Sequence, residues 1–437
     1  MKFRMKKYLP YLATAVVLLS ATITSCNKDM IEGNEIGEVG DASLDQTFGK
    51  NGMVVIPNTS EINLLDFDSH GNIVAAGYTL IGSGMGGHLT LAKIRVDGTQ
   101  DKNSESSWLT KITDYDDSIP IGLKVTKENK IMVLGSFTKI RFQGRETILM
   151  RFNHDGTVDN TFGENGKVNL QFNAGYITSV NFDSDDFLLI AKRETEIVDK
   201  NGVLYSNLIG YSISKYSYSG VLDNSFGQNG VVLLINTVSP YSMRIVKNGS
   251  IIVAGTYNTW PNIELGLCKL TPSGKMDTGF ANKGIWHRNV MQDFDLDHEY
   301  FSGILEDNNG NLILSGSGLR NSKGWGNRAF ISKFSSNGKL DTSFGDKGFY
   351  CFDFGNSNNP VFQIGSNYVT AGWDLNESHK VVLVNNNGNF GEYIYTSGIY
   401  YFQTMKLYGD NTLYTGGGYR IGNSYNANFA VERVIID

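Results

Sequence analysis

Leu340-Asp341-Thr342-Ser343-Phe344-Gly345-Asp346-Lys347-Gly348 is written into this chain more than once. Leu44-Asp45-Gln46-Thr47-Phe48-Gly49-Lys50-Asn51-Gly52, Val158-Asp159-Asn160-Thr161-Phe162-Gly163-Glu164-Asn165-Gly166 and Leu222-Asp223-Asn224-Ser225-Phe226-Gly227-Gln228-Asn229-Gly230 repeat it. Met276-Asp277-Thr278-Gly279-Phe280-Ala281-Asn282-Lys283-Gly284 is a worn copy. Asp159, Asp223, Asp277 and Asp341 are spaced 64, 54 and 64 residues apart, and the gap from Asp45 to Asp159 is 114, twice 57. A degenerate copy therefore belongs near residue 102, where Asp97-Gly98-Thr99-Gln100-Asp101 stands without the Phe-Gly pair. A second one, Asn387-Gly388-Asn389-Phe390-Gly391, follows Asp341. A period of this length is one supersecondary unit stacked many times.

The unit at 300–354 reads as four strands. Tyr300-Phe301-Ser302-Gly303-Ile304-Leu305 is the first, and Asp307-Asn308-Asn309-Gly310-Asn311 is a turn, because Asn and Gly tolerate left-handed φ. Leu312-Ile313-Leu314-Ser315-Gly316 is the second, Ala329 to Phe334 the third, and Phe349-Tyr350-Cys351-Phe352 the fourth, after the repeated phrase. Four antiparallel strands per unit are a β-propeller blade. First strands beginning near 62, 119, 177, 241, 301, 361 and 400 predict seven blades. The last unit ends at Ile436-Asp437 one strand short, while Met53–Ile56 has no inner strands before it. The expected fold is an all-β, seven-bladed propeller in which Met53–Ile56 completes the blade ending in Ala427–Val431, so that the ring has no open edge.

The phrase Asn337-Gly338-Lys339-Leu340-Asp341-Thr342-Ser343-Phe344-Gly345 resembles the delta-60 repeat of bacterial β-propellers of unknown function. The resemblance spans nearly all of 44–437. It implies the fold and carries no agreed activity or catalytic residues.

Composition agrees. Fifty glycines against seven prolines suit many tight turns, and 12% aromatic residues, mostly Tyr and Phe, suit strands. Of three cysteines, Cys268 and Cys351 lie in apolar runs and read as buried small residues, with a disulfide between them as the alternative. Cys26 belongs to the N-terminal segment. Lys2, Arg4, Lys6 and Lys7 form a basic region, and an apolar stretch from Leu12 to Ile23 is too short to span a bilayer comfortably. Ile23-Thr24-Ser25-Cys26 resembles the lipobox of bacterial lipoproteins, with Ile in place of the usual Leu. The resemblance implies a signal peptide over 1–25, lipidation at Cys26, and a protein held at the outer membrane by its lipid alone. An ordinary secretory signal with an incidental cysteine is the alternative. Residues 26–43 are acidic and aperiodic, a flexible tether. They partly resemble the surface-export signal of Bacteroidetes lipoproteins, which implies a surface-exposed propeller over 44–437.

The whole chain carries −6, and losing a signal with four positive charges leaves −10. That argues against nucleic acid as a partner.

The repeated aspartates read as turn-formers that bond their own backbone, and the repeated Phe as packing between blades, with one metal ligand per blade as the alternative. Asp293-Phe294-Asp295-Leu296-Asp297-His298-Glu299 alternates carboxylates. A calcium loop asks for Gly at its sixth position and Glu at its twelfth, where His298 and Ile304 stand, so a solvated acidic loop is the plainer reading and Ca2+ the alternative. No metal site or cofactor is otherwise expected. Gly82-Ser83-Gly84-Met85-Gly86-Gly87 matches GxGxxG, but without a following helix it is a flexible loop. No GxSxG or metal-spaced histidine pair occurs, and the catalytic residues, if any, are unknown.

The non-repeating loops are more informative. Loops joining second and third strands carry Trp260, Arg320, Trp325, Trp373, Tyr419, Arg420 and Tyr425, candidates for stacking on a sugar or a peptide side chain. Packing of each aromatic on its own blade rim is the alternative. Loops between blades bring Asp116, Asp117, Asp293, Asp295, Asp297 and Glu299 to the same face as a candidate acidic funnel. Two functions follow: a binding module for a glycan or protein ligand, or a polysaccharide-degrading enzyme, a glycoside hydrolase or lyase, with carboxylates at the central funnel. A purely structural envelope protein is a third.

Overall fold

The computed structural model describes residues 42–81, 86–99, 108–138, 144–173, 176–183, 187–200, 203–257, 263–294, 296–320, 327–352, 360–373, 379–389, 391–396, 399, 401–420 and 427–436. Strands β1 (Ala42–Leu44) and β2 (Met53–Ile56) precede the first complete blade, β3 (Glu61–Phe67), β4 (Ile73–Leu80), β5 (Gly87–Ile94) and β6 (Trp108–Lys111). The second blade is β7 (Asp117–Val125), β8 (Ile131–Thr138), β9 (Glu146–Phe152) and β10 (Lys167–Asn173); the third is β11 (Ile177–Phe182), β12 (Phe187–Lys200), β13 (Val203–Ser217) and β14 (Val231–Leu234). The fourth is β15 (Val238–Ile245), β16 (Ile251–Tyr257), β17 (Glu264–Leu270) and β18 (Ile285–Arg288). A short helix, α1 (Met291–Phe294), leads into the fifth: β19 (Leu296–Glu306), β20 (Leu312–Arg320), β21 (Asn327–Phe334) and β22 (Phe349–Phe352). The sixth is β23 (Val361–Ile364), β24 (Asn367–Trp373), β25 (His379–Val384) and β26 (Gly391–Thr396), and the chain ends in β27 (Tyr401–Tyr408), β28 (Thr412–Arg420) and β29 (Ala427–Ile436).

Each blade is an antiparallel sheet in chain order, with its first strand innermost and neighbouring the first strands of adjacent blades. The ring closes as the sequence predicts. β2 pairs with β29, Met53 opposite Glu432 and Ile56 opposite Phe429. β1 extends the same edge, Ala42 opposite Ile436 and Leu44 opposite Val434, which makes this sheet five-stranded. Among the described residues, pairing begins at Ala42.

Both faces of a blade pack on neighbours, so second strands such as Ile73-Val74-Ala75-Ala76-Gly77 are buried throughout and read as apolar runs without alternation. The turns between first and second strands follow the expected Asp/Asn/Gly chemistry. Asp307 Oδ1 accepts the N–H groups of Asn309 (2.9 Å) and Asn311 (2.8 Å), and Tyr368 of the next blade donates its hydroxyl to Oδ2 at 3.0 Å. Cys268 is a free, fully buried thiol in β17, which burial pushes up to about 12; Cys351 is half-buried in β22, and no disulfide joins them. Gly87 opens a strand, so no helix follows the GxGxxG stretch.

The repeated phrase is the connector between third and fourth strands, and its residues have distinct tasks. Its carboxylate folds the connector: Asp45 Oδ1 accepts Thr47 N–H at 2.9 Å and the Thr47 hydroxyl at 2.6 Å, and Asp159, Asp223 and Asp341 do the same with Thr161, Ser225 and Ser343. The other oxygen takes a cation from the third strand, eight residues upstream: Arg151 on Asp159 (2.9 Å), Lys215 on Asp223 (3.1 Å) and Lys269 on Asp277 (3.4 Å). The same cation can stand over the connector's aromatic ring, as Arg151 does over Phe162 at 4.8 Å. The Phe joins blades. Phe48, Phe162, Phe226, Phe280 and Phe344 are all buried. Beside them lie turn glycines of the following blade: a Cβ on Gly338 would stand 2.6 Å from the Phe280 ring, and one on Gly388 would stand 2.9 Å from that of Phe344. Backbone hydrogen bonds seal the same junctions: Gly49 N–H to Asp97 O (3.2 Å), Gly227 to Ser273 (2.8 Å), Ala281 to Asn337 (2.8 Å) and Gly345 to Asn387 (2.9 Å). In the sixth blade the degenerate copy leads straight from Val384 into β26 at Gly391, so the connector shrinks to a turn.

One blade departs from the frame. β12 and β13 run 14 and 15 residues, paired from Phe187 opposite Ser217 to Lys200 opposite Val203. Neighbours β11 and β14 cover only their bases, so the hairpin projects from the ring beyond them.

Candidate functional site at the ring seam

In every blade the ends of the second strand and the starts of the first and third strands share one end of the ring. This variable-loop face receives the sequence's candidates. Arg320 closes β20, Trp373 closes β24, and Tyr419 and Arg420 close β28. Asp117 opens β7, and Asp297 and Glu299 lie in the first turns of β19. Trp260, Trp325, Tyr425 and Asp295, like Cys26, lie outside the described residues.

Of the acidic candidates, the side chains of Asp116, Asp117 and Asp293 are described, and they take separate places. Asp117 is turned to the first blade, its Oδ1 accepting Gly87 N–H at 3.0 Å, and its Oδ2 meets Arg145 at 3.3 Å. Asp116 is exposed, its N–H bonded to Thr138 O at 2.9 Å. Asp293 departs from the expectation outright. Its oxygens bind Arg288 (2.5 Å), from the outermost strand of the fourth blade, and Lys347 (2.7 Å), from the connector leading to the outermost strand of the fifth. The reason is α1: Phe294 turns into the core against Phe349 (5.0 Å between rings), which draws its neighbour to the outer rim. Lys347 foremost, with Arg288, holds the Asp293 carboxyl below its usual range against the effect of burial. Among the described residues, no group of three or more His, Cys, Asp or Glu could hold a metal ion.

The convergence occurs where the last blade meets the first. Glu61 opens β3, the innermost strand of the first blade, opposite Tyr78 in β4. Its side chain lies against Gly418 of β28, where an added Cβ would stand 3.0 Å from Glu61 Cγ, and Arg420 follows two residues later. Burial pushes the Glu61 carboxyl above its usual value, outweighing the hydrogen-bonding influence of Tyr78 and the positive charge of Arg420. The other carboxyls with displaced values among the described residues are all pushed down. Asn58, on the segment entering β3, is locked to the last blade by its N–H to Asn428 Oδ1 at 3.1 Å. Tyr419 and Arg420 were legible as loop-end residues. Glu61 and Tyr78 carry no spacing signal. The one clue is that Glu61 opens a first strand at a position where the other blades do not share a residue type.

Two segments, 129–162 and 247–280, match the family model described as "Domain of unknown function (DUF5122) beta-propeller". Each runs from the turn before a second strand to the connector Phe. The protein is a β-propeller whose repeat is similar to that family's. No curated protein matches the propeller chain. Among solved structures, a protein of unknown function from Dyadobacter fermentans is similar at 11% identity and TM-score 0.45, over 88% of this chain and 98% of that one. The polysaccharide lyase Uly1 is similar at 12% identity and TM-score 0.49, over 94% of each chain. Chaetomium thermophilum Raptor aligns at 8% identity and TM-score 0.50, over 91% of this chain and 29% of that one, a likeness of fold alone.

Proposed function

We propose that this propeller is a lipid-anchored bacterial cell-envelope protein, exposed at the outer membrane, whose variable-loop face binds a glycan. The observation that carries the reading is the seam cluster of Glu61, Tyr78 and Arg420, which joins an aromatic side chain, a cation and a carboxyl on a face whose loops do not repeat. A frame that repeats for packing leaves recognition to what varies on it. Arg420 would bind oxygens in a fork. The test is a glycan array probed with the wild-type chain and Arg420→Ala. Specific signals that Arg420→Ala abolishes support the reading. An empty array, with a protein recovered by chemical cross-linking through this face, would replace it with a protein partner. Anchoring is tested separately: Cys26→Ala should move the protein from the membrane to the soluble fraction, and unchanged retention would refute lipidation.

A second reading is catalytic, and the raised Glu61 favours it. A carboxyl that burial makes readier to hold a proton is better suited than an ordinary one to act as the general acid that cleaves a polysaccharide. Incubation with polysaccharides should then release reducing ends or unsaturated products, and Glu61→Gln should stop the release. An absence of products across such a panel rejects this reading.

A further inference from the structure

The connector is uniform because every junction needs it, so the copy that fails to repeat is informative. Copies at the other junctions place Thr47, Thr161, Ser225 or Ser343 two residues after the aspartate, each hydroxyl 2.5–2.6 Å from the carboxylate. The fourth blade has Gly279 there, and only its N–H reaches Asp277, at 3.1 Å. Ala281 replaces the glycine of the Phe-Gly pair and keeps its left-handed φ of 44°, a conformation that costs a residue with a Cβ. Two residues after the connector's last glycine, Val54, Val168 and Val232 stand in three blades, and Val168 and Val232 fill the space under the next blade's turn glycine. The fourth blade has Trp286. Its ring leans instead on Phe334 (4.7 Å, 83°) and Phe301 (6.3 Å, 47°) and stays half-buried.

These exchanges leave a groove of about 530 Å³ on the outer rim between the fourth and fifth blades. Gly279, Asn282 and Trp286 line one wall, and Asn337 and Lys339 the other. No carboxylate lines it; Asp277 is bound to Lys269. An indole, an imidazole (His287, bonded to Glu264), two amides and one ammonium are rich in donors and offer a flat apolar surface. That combination suits a ligand with an apolar C–H face and many hydroxyl oxygens, and gives an acidic or purely apolar ligand less.

We propose that this groove, opened by Gly279 and lined by Trp286, is a binding site for a neutral saccharide. It lies at the connector end of the outer strands, apart from the seam cluster, and does not depend on the function proposed for that cluster. The worn copy is then a site made by deleting a side chain from a structural repeat.

The test titrates the detergent-solubilised full chain by calorimetry with a panel of neutral tetrasaccharides: cellotetraose, maltotetraose, xylotetraose and laminaritetraose. Gly279→Thr restores what the other copies carry, and a Cβ there meets only Asp277 Oδ1, at 3.4 Å, so this variant keeps the fold. Trp286→Val restores the residue of three other blades. Wild type should bind at least one tetrasaccharide, and each variant should weaken that binding at least tenfold, Gly279→Thr without lowering the melting temperature. Arg420→Ala, which disables the seam cluster, should leave the groove-dependent part of that binding in place. The proposal is overturned if wild type binds none of the four, if the two groove variants bind as wild type does, or if Arg420→Ala alone removes the binding.

Discussion

Arg433 grips Asp45 across 388 residues: its Nε lies 2.8 Å and its Nη2 2.7 Å from the same carboxylate oxygen. The pair does at the ring's closure what Arg151 and Asp159 do within a single blade. Arg433 also stands 4.9 Å over the Phe48 ring and donates to Val96 O at 2.6 Å, so one side chain binds the N-terminal connector, the last blade and the first.

Arg433→Ala should therefore cost more than removal of the equivalent cation inside a blade. The expected loss is about 2–3 kcal/mol, in the range of hydrogen bonds to charged groups, against about 1 kcal/mol or less for Lys269→Ala, whose Asp277 partner is a third exposed. Urea unfolding of both variants checks this. Equal losses would mean that the closing junction is no more critical than the others.

Inter-blade packing predicts two further costs. Phe344→Ala empties a buried site and should destabilise by about 3–5 kcal/mol. Gly388→Ala forces a Cβ to within 2.7 Å of Gly345 N at a φ of +72°, and should lower the melting temperature although the residue is far from any proposed ligand. Unchanged melting in Gly388→Ala would show that the junction yields easily.

Acid should loosen the connectors. The Thr161 hydroxyl foremost, with Lys130 and Arg151, holds the Asp159 carboxyl well below the ordinary aspartate value of 3.8. A depressed folded value means stability that is present above about pH 4 and lost as pH falls toward the folded value. Asp159→Asn should be less stable than wild type at pH 7, by about 1–3 kcal/mol, and the gap should narrow by pH 3. Melting curves across that window decide it.

Glu61 should behave oppositely. Its value is raised, so its contribution is fully present below the ordinary carboxyl value of 4.5 and is lost as pH rises through the raised one. Glu61→Gln should melt at or above the wild-type temperature at pH 7 and should flatten the pH profile above about pH 4.5. A lower melting temperature at pH 7 would mean that the charge is satisfied at the seam and that the site holds an ordinary ion pair.

Much of this was legible because the repeat writes the same physics seven times. The positions of the first strands, the turns at Asp307 and the pairing of Met53–Ile56 with β29 follow from copies read against one another. The cations eight residues before the connector aspartates were present in the sequence as Arg151, Lys215 and Lys269, but on a strand otherwise read as apolar they carried no signal. The projecting β12–β13 hairpin has no second copy, and periodicity cannot report what happens once. Asp293 was misplaced because a loop's carboxylates give no radial position; the buried Phe294 decided it.

The sequence by itself determined that this is a β-propeller, how many blades it has and how the ring is sealed, since those properties rest on local turn chemistry and a repeated apolar pattern. Only the tertiary structure decided which distant side chains meet: Glu61 with Arg420, Arg433 with Asp45, Trp286 with Phe301 and Phe334 of the next blade. Such contacts join residues far apart in the chain, and their distances depend on how each blade packs on the next, a relation that no spacing along a single strand records.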